Sequence, residues 1–192
     1  MNRAPTRPVD QTAPAAWILV VAGLAAMLLR PQLSTLSGSV RIVALGAVWC
    51  ALLVGCLLVP IAPDRERPRL SPLSGALIGF GAIACATFVS GPVIRLPFAA
   101  WALPLGVLAA VAEEALFRRV AFGWLARWGV PVAIVGSAVL FAVVHVPLYG
   151  TAVLPVDLGA GLLLGWQRWA TGTWTVPALT HAAANVLATV MR

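Results

Sequence analysis

Residues Ile42 to Ala62 read IVALGAVWCALLVGCLLVPIA, 21 positions without one charged side chain. At 1.5 Å per residue in a helix, a run of that length crosses the ~30 Å hydrocarbon core of a bilayer. The apolar positions are continuous rather than alternating, which argues for a helix over a barrel strand. Six comparable runs flank this one, at about 15–29, 70–94, 96–119 (reaching toward Arg127), 131–149, 150–167 and 173–191. The chain is expected to be all-α, a polytopic transmembrane bundle of about seven spans, within a range of six to eight.

Composition supports this reading. Hydrophobic residues make up 61% of the 192 positions and charged residues 10%, against about 25% charged in soluble domains. A surface so poor in charge suits lipid rather than water. The net charge of +7 comes from 13 arginines and no lysine. They lie between apolar runs, so they read as topology signals and contacts to anionic lipid, not as a nucleic-acid surface. Cys50, Cys56 and Cys85 lie inside apolar runs and read as free thiols with no metal-type spacing.

Residues 1–14 are polar and rich in proline and read as a cytoplasmic tail. Run 15–29 is short and preceded by arginine, but no small-x-small cleavage site follows it, so it reads as an uncleaved first helix. Residues 15–98 form three N-terminal spans and 99–192 a separate helical core. With seven spans, Arg3, Arg7, Arg65, Arg67, Arg69, Arg118, Arg119, Arg127 and Arg168 fall on one side. Arg30, Arg41, Arg95 and Arg192 fall on the other. The positive-inside rule places the N-terminus in the cytoplasm. Trp17, Trp101, Trp124, Trp128, Trp166, Trp169 and Trp174 lie near run ends, as interfacial anchors do, and Trp49 does not. Gly75 and Gly79 have the spacing that permits close helix approach.

Ionisable groups are costly inside a bilayer. Glu113, Glu114, His145, Asp157 and His181 are the five that fall there, all in the last four runs. On a helix Glu114 and Arg118 share a face in the favourable acid-first order, while Glu113 points ~100° away. One carboxylate is thus neutralised locally, and the other is left to find partners on neighbouring helices. Phe141 and His145 are four apart on the fifth run, and His181 and Asn185 four apart on the seventh. A carboxylate, two imidazoles and a carboxamide can polarise water, move a proton and donate to an oxyanion. Singly, each has a structural reading: an ion pair for the glutamates, interhelical hydrogen bonds for the histidines and Asn185. Asp157, close to Pro155, reads equally as an interfacial residue and is set outside the site. Counted from the start of each run, Glu113 and His145 lie at similar depth (~21 Å for His145) in helices of opposite direction. That predicts different heights in the membrane.

The three elements Glu113-Glu114-x-x-x-Arg118, Phe141-x-x-x-His145 and His181-x-x-x-Asn185 resemble the signature of the CPBP intramembrane proteases. That family includes the type II CAAX prenyl endopeptidases and the bacterial Abi proteins. The resemblance covers about 99–192, including the approach from Gly161 to Pro177. It implies an endopeptidase that hydrolyses a peptide bond in a membrane-tethered protein or peptide, with the trimming of a C-terminal tail or sorting signal as an expected use. In such an enzyme Glu113 and His145 activate water, and His181 and Asn185 stabilise the oxyanion. Glu114 and Arg118 organise the helix, and Phe141 packs beside the site. No cofactor is expected; in the family's zinc account, the ligands would be Glu113, His145 and His181. The expected partners are a membrane-anchored substrate and the lipid bilayer, with no nucleic acid. The compact length and arginine-only basic set point to a bacterial inner membrane. Two other classes fit the same polar groups: a non-enzymatic bacteriocin-immunity-type membrane protein, and a small proton-coupled transporter. Against the transporter stands the lack of repeated halves.

Overall fold

A computed structural model describes residues 13–61, 68–90 and 101–190. Most of the tail, much of the 63–69 loop and the start of the fourth run at Leu96 lie outside these residues. Among the described residues the chain is helical, with no strand. The elements are α1 (Ala13–Leu28), a short α2 (Arg30–Ser34), α3 (Gly38–Leu58), α4 (Pro72–Ser90) and α5 (Ala102–Glu114). From α5 the chain passes through a π-helical stretch, Ala115–Ala121, into α6 (Phe122–Leu125) and a 3-10 turn, Ala126–Trp128. Then come α7 (Val130–Tyr149), α8 (Leu154–Thr171) and α9 (Thr175–Val190). Ala13 and Pro14, read from sequence as tail, already belong to α1.

Two of these helices, α3 and α7, are long and apolar enough by themselves to cross a membrane. The others fall short for identifiable reasons. The fourth run is divided by its π-helical stretch. Helix α8 carries Asp157, Gln167 and Arg168, and α9 is 16 residues long with His181 and Asn185 along it.

Side-chain pairs fix how the helices run. Phe117 meets Phe141 edge-on at 5.6 Å, and one turn further from the connecting loop Glu113 meets His145. So α5 and α7 are antiparallel about the turn at Ala126–Gly129. Helices α7 and α8 are also antiparallel: a Cβ on Gly161 would stand 2.8 Å from Ala138 Cα, and one on Gly165 3.4 Å from Ile134 Cα. The missing side chains therefore let two backbones touch. Gly75 and Gly79 of α4 leave room instead for the side chains of Thr171, Gln167 and Thr180 of α8 and α9. Gln167 Nε2 donates to Gly75 O at 2.8 Å and to Thr180 Oγ1 at 3.0 Å, tying the three helices together.

One end of the bundle gathers the start of α1, the end of α3, the start of α4, the 126–129 turn and the α8–α9 turn. There Trp17 stacks on Trp124 at 4.9 Å, and Trp124 meets Trp128 at 4.8 Å. The backbone N–H groups of Arg69 and Leu70 donate to Ala170 O. Arg119 donates to the last carbonyls of α3, those of Cys56, Leu57 and Val59, which have no acceptor role left inside the helix. The opposite end gathers α2, the start of α3, Trp101 with the start of α5, the end of α7 and the start of α8. Arg41 lies over the Trp101 ring there at 5.0 Å.

Candidate active site

The π-helical stretch begins directly after Glu114, and such stretches cluster at functional sites. Glu113 and Glu114 are both buried, at 3% and 0% exposure, but they face different neighbours. Glu114 Oε2 lies 3.2 Å from Arg118 Nε, and its Oε1 lies 3.0 Å from His181 Nδ1. The Arg118 guanidinium is fully buried. It also donates to Gly161 O at 3.2 Å and sits 4.9 Å over the Phe141 ring. Arg168 closes this layer by donating to Arg118 O at 3.0 Å. Arg118 and Arg168 are thus interior residues of the bundle rather than loop charges.

Glu113 turns away from this cluster toward a cavity of about 310 Å³. Its Oε2 lies 3.8 Å from His145 Nε2 and 3.9 Å from His181 Nε2. Its Oε1 lies 3.6 Å from Arg30 Nη1. Phe141 holds both rings, 4.7 Å from His145 and edge-on to His181 at 5.5 Å. Asn185 lines the same cavity and donates from Nδ2 to Gly106 O at 3.1 Å. Glu113, Phe141, His145, His181 and Asn185 therefore share one cavity wall, with Glu114 and Arg118 behind it.

The heights expected from run starts were wrong, and the reason is geometric. In an antiparallel pair, depth is counted from the turn the helices share. From Ala126–Gly129, Glu113 and His145 are almost equally far along the chain, so they meet.

Proton positions follow from the partners. His145 Nδ1 is 2.7 Å from Phe141 O, a carbonyl that can only accept, so Nδ1 carries the hydrogen. In the neutral ring Nε2 then offers its lone pair toward Glu113. Two acceptors 3.8 Å apart make no direct hydrogen bond, and the cavity beside them has room for a water that contacts both.

Two cavity residues were missed in the sequence. Asp157 Oδ2 lies 3.4 Å from His145 Nδ1, so this residue belongs to the cavity rather than to the interface alone. Arg30, at the α1–α2 junction, was read as a topology charge. The available signal was that it abuts an apolar run with no acid near it in sequence, so its partner had to come from another helix. Trp49, the tryptophan away from any run end, also lines the cavity, with Arg30 5.4 Å over its ring.

Residues 95–187 match the family described as type II CAAX prenyl endopeptidase Rce1-like. The chain is similar to that family over this segment, 93 of its 192 residues. The Rce1-like segment contains all three motifs, from Glu113 to Asn185, and leaves out Arg30 and Trp49. At family level this is a membrane protease, a peptide hydrolase of the CAAX type. No curated protein and no solved structure matches the chain.

Glu113, His145 and His181 have donor types that zinc accepts. Yet among the described residues no group of three His, Cys, Asp or Glu side chains is placed to hold a metal ion.

Proposed function

We propose that the chain is a seven-span intramembrane endopeptidase in which Glu113 activates water against a peptide bond of a membrane-tethered substrate. The observation that carries this reading is the gap between Glu113 Oε2 and the two imidazole Nε2 atoms, 3.8 and 3.9 Å, on the wall of the cavity. A water in the gap donates to Glu113 and to His145. As its oxygen attacks the scissile carbonyl, Glu113 takes the proton and then delivers it to the leaving amine. Proton transfer by a positioned carboxylate is worth about 10²–10⁴ in rate.

His181 donates from Nδ1 to Glu114. In its doubly protonated form Nε2–H faces the cavity, where the tetrahedral oxyanion develops. Asn185 uses one amide N–H on Gly106 O and has a second for the same oxygen. Such donors, fixed before reaction, are worth about 2.7–4 kcal/mol each. Glu114 and Arg118 position the His181 ring and the π-helical stretch. The membrane proposed is a bacterial inner membrane, with residues 1–14 on the cytoplasmic side, where the arginine-rich loops lie.

The test is a comparison of peptide termini in membranes of cells producing the wild-type protein or Glu113→Gln at equal level. New termini present only with the wild type, and insensitive to chelator, are expected. Identical termini would sink the protease reading. Substrate-driven proton flux with no cleaved product would favour the transporter. Activity lost to chelator and restored by zinc would favour the metal account.

A further inference from the structure

Asp157 stands outside the three motifs, yet it shares the cavity wall with them. It lies in the first turn of α8, on one helical stripe with Gly161 and Gly165, the two residues at which α8 touches α7. The crossing therefore turns Asp157 toward α7 and not toward lipid. Its side chain is largely buried, and its Oδ2 has no hydrogen-bond partner among the described residues. A carboxylate near the start of a helix is favoured by the helix dipole. That accounts for an acid in this turn, but not for an oxygen aimed at an imidazole 3.4 Å away.

The imidazole is that of His145. Its Nδ1 sends its one hydrogen to Phe141 O at 2.7 Å, so Asp157 Oδ2 faces the same N–H as a charge. Two oxygens on one side of the ring restrict it in two ways. Moving the hydrogen to Nε2 would set a bare Nδ1 lone pair against a carbonyl and a carboxylate, which repel it. Turning the ring over would replace the N–H by a C–H and give up both contacts. The bond made by one ring nitrogen decides what the other presents. Here the other is Nε2, 3.8 Å from Glu113 Oε2. The remaining polar groups near the ring do not hold Nδ1. Glu113 of α5 and, through it, His181 of α9 stand on the Nε2 side, Arg30 is paired with Glu113, and Tyr149 stacks on the ring face.

We propose that Asp157 is a positioning residue: its charge behind Nδ1–H holds His145 in the tautomer and orientation that keep the Nε2 lone pair on the water beside Glu113. In the reaction that water gives one hydrogen to Glu113 while the other stays hydrogen-bonded to Nε2, so the ring aims the attacking oxygen. Hydrogen-bonded groups polarise one another, and a negative charge on the far side of the ring makes Nε2 the stronger acceptor. The part played in hydrolysis rests on the protease reading; the hold on the ring does not.

The chain has two histidines, so the full-length protein with ¹⁵N-labelled imidazoles, in detergent, shows two rings, and His181→Gln assigns them. At alkaline pH, where an imidazole is neutral, wild-type His145 should have Nδ1 protonated and Nε2 bare. Asp157→Asn keeps the shape, but its amide can donate to Nδ1. It should shift His145 toward the Nε2–H tautomer and leave His181 unmoved. Wild-type-specific peptide termini should then appear about tenfold more slowly, the low end for losing a charged hydrogen-bonding partner, with melting temperature and abundance unchanged. Asp157→Glu, which restores the charge, should return both readouts toward wild type. Asp157→Leu takes the place of the amide if that variant does not accumulate, with the same direction of shift. His145 signals identical to wild type without the carboxylate would overturn the proposal, whatever the rate of processing. Absence of wild-type-specific termini would defeat the protease reading instead, and the ring signals would still decide the hold on His145.

Discussion

Helices α5, α7, α8 and α9 bring Glu113, His145, Asp157, His181 and Asn185 to the cavity, whereas α1 to α4 bring one charged group, Arg30, and apolar walls such as Leu45 and Trp49. The C-terminal group is held by polar bonds that cross between helices: Glu114 to Arg118 and His181, Arg118 to Gly161, Arg168 to Arg118. The N-terminal group shares the apolar core, with Cys56 and Trp49 buried in it, and is tied to the C-terminal helices near one end, by Arg119 to the end of α3 and by Gln167 to Gly75. The difference teaches where chemistry and enclosure come from. The C-terminal helices alone would present a carboxylate and two imidazoles to lipid. The N-terminal helices turn that arrangement into a cavity and set a guanidinium beside its base.

Four substitutions separate the two contributions, and the largest effect belongs to the C-terminal half. Glu113→Gln keeps the shape and removes the base, so cleavage should fall about 10²–10⁴-fold with protein abundance unchanged. Abundance falling in parallel would mean that Glu113 is structural. Next, Glu114→Ala leaves Arg118 buried without its ion partner, a loss of about 3–5 kcal/mol. Thermal denaturation in detergent should show that loss directly, with activity declining as folded protein declines.

The contrast between those two glutamates was legible in the sequence. Helical periodicity alone separates Glu113 from the Arg118 face, and the spacings Phe141–His145 and His181–Asn185 mark two more faces of the same cavity. Three features were not legible. Nothing in Ala115–Ala121, where Arg118 and Arg119 stand between apolar residues, announces a π-helical stretch, because the same side chains fit an ordinary helix. Arg30 joins the site only through the tertiary placement of α1. Asp157 needed the close α7–α8 crossing at Gly161 to reach His145.

That crossing gives the third substitution. Gly161→Ala would set a methyl group 2.8 Å from Ala138 Cα and force α8 outward. The expected cost is about 1–3 kcal/mol, typical of overpacking. The change should also move Asp157 from His145, so residual activity per folded molecule should drop. Unchanged stability would mean that the helices do not cross there.

Arg30→Ala is the smallest and tests the N-terminal half. The pair with Glu113 is part-exposed, so its loss should lower turnover about fivefold, the equivalent of about 1 kcal/mol, without unfolding. Arg30→Lys should restore much of it, and the effect should appear in kcat rather than KM. A fully active Arg30→Ala would reduce the N-terminal helices to enclosure alone.

The most direct measurement is an experimental structure of the protein in lipid, refined well enough to show solvent in the cavity. The expected result is one water-sized peak between Glu113 Oε2 and the imidazole Nε2 atoms of His145 and His181, with both rings within about 4 Å of the carboxylate, the reach of one bridging water. Either ring turned to the acyl chains, or a gap that no single water spans, would contradict the account.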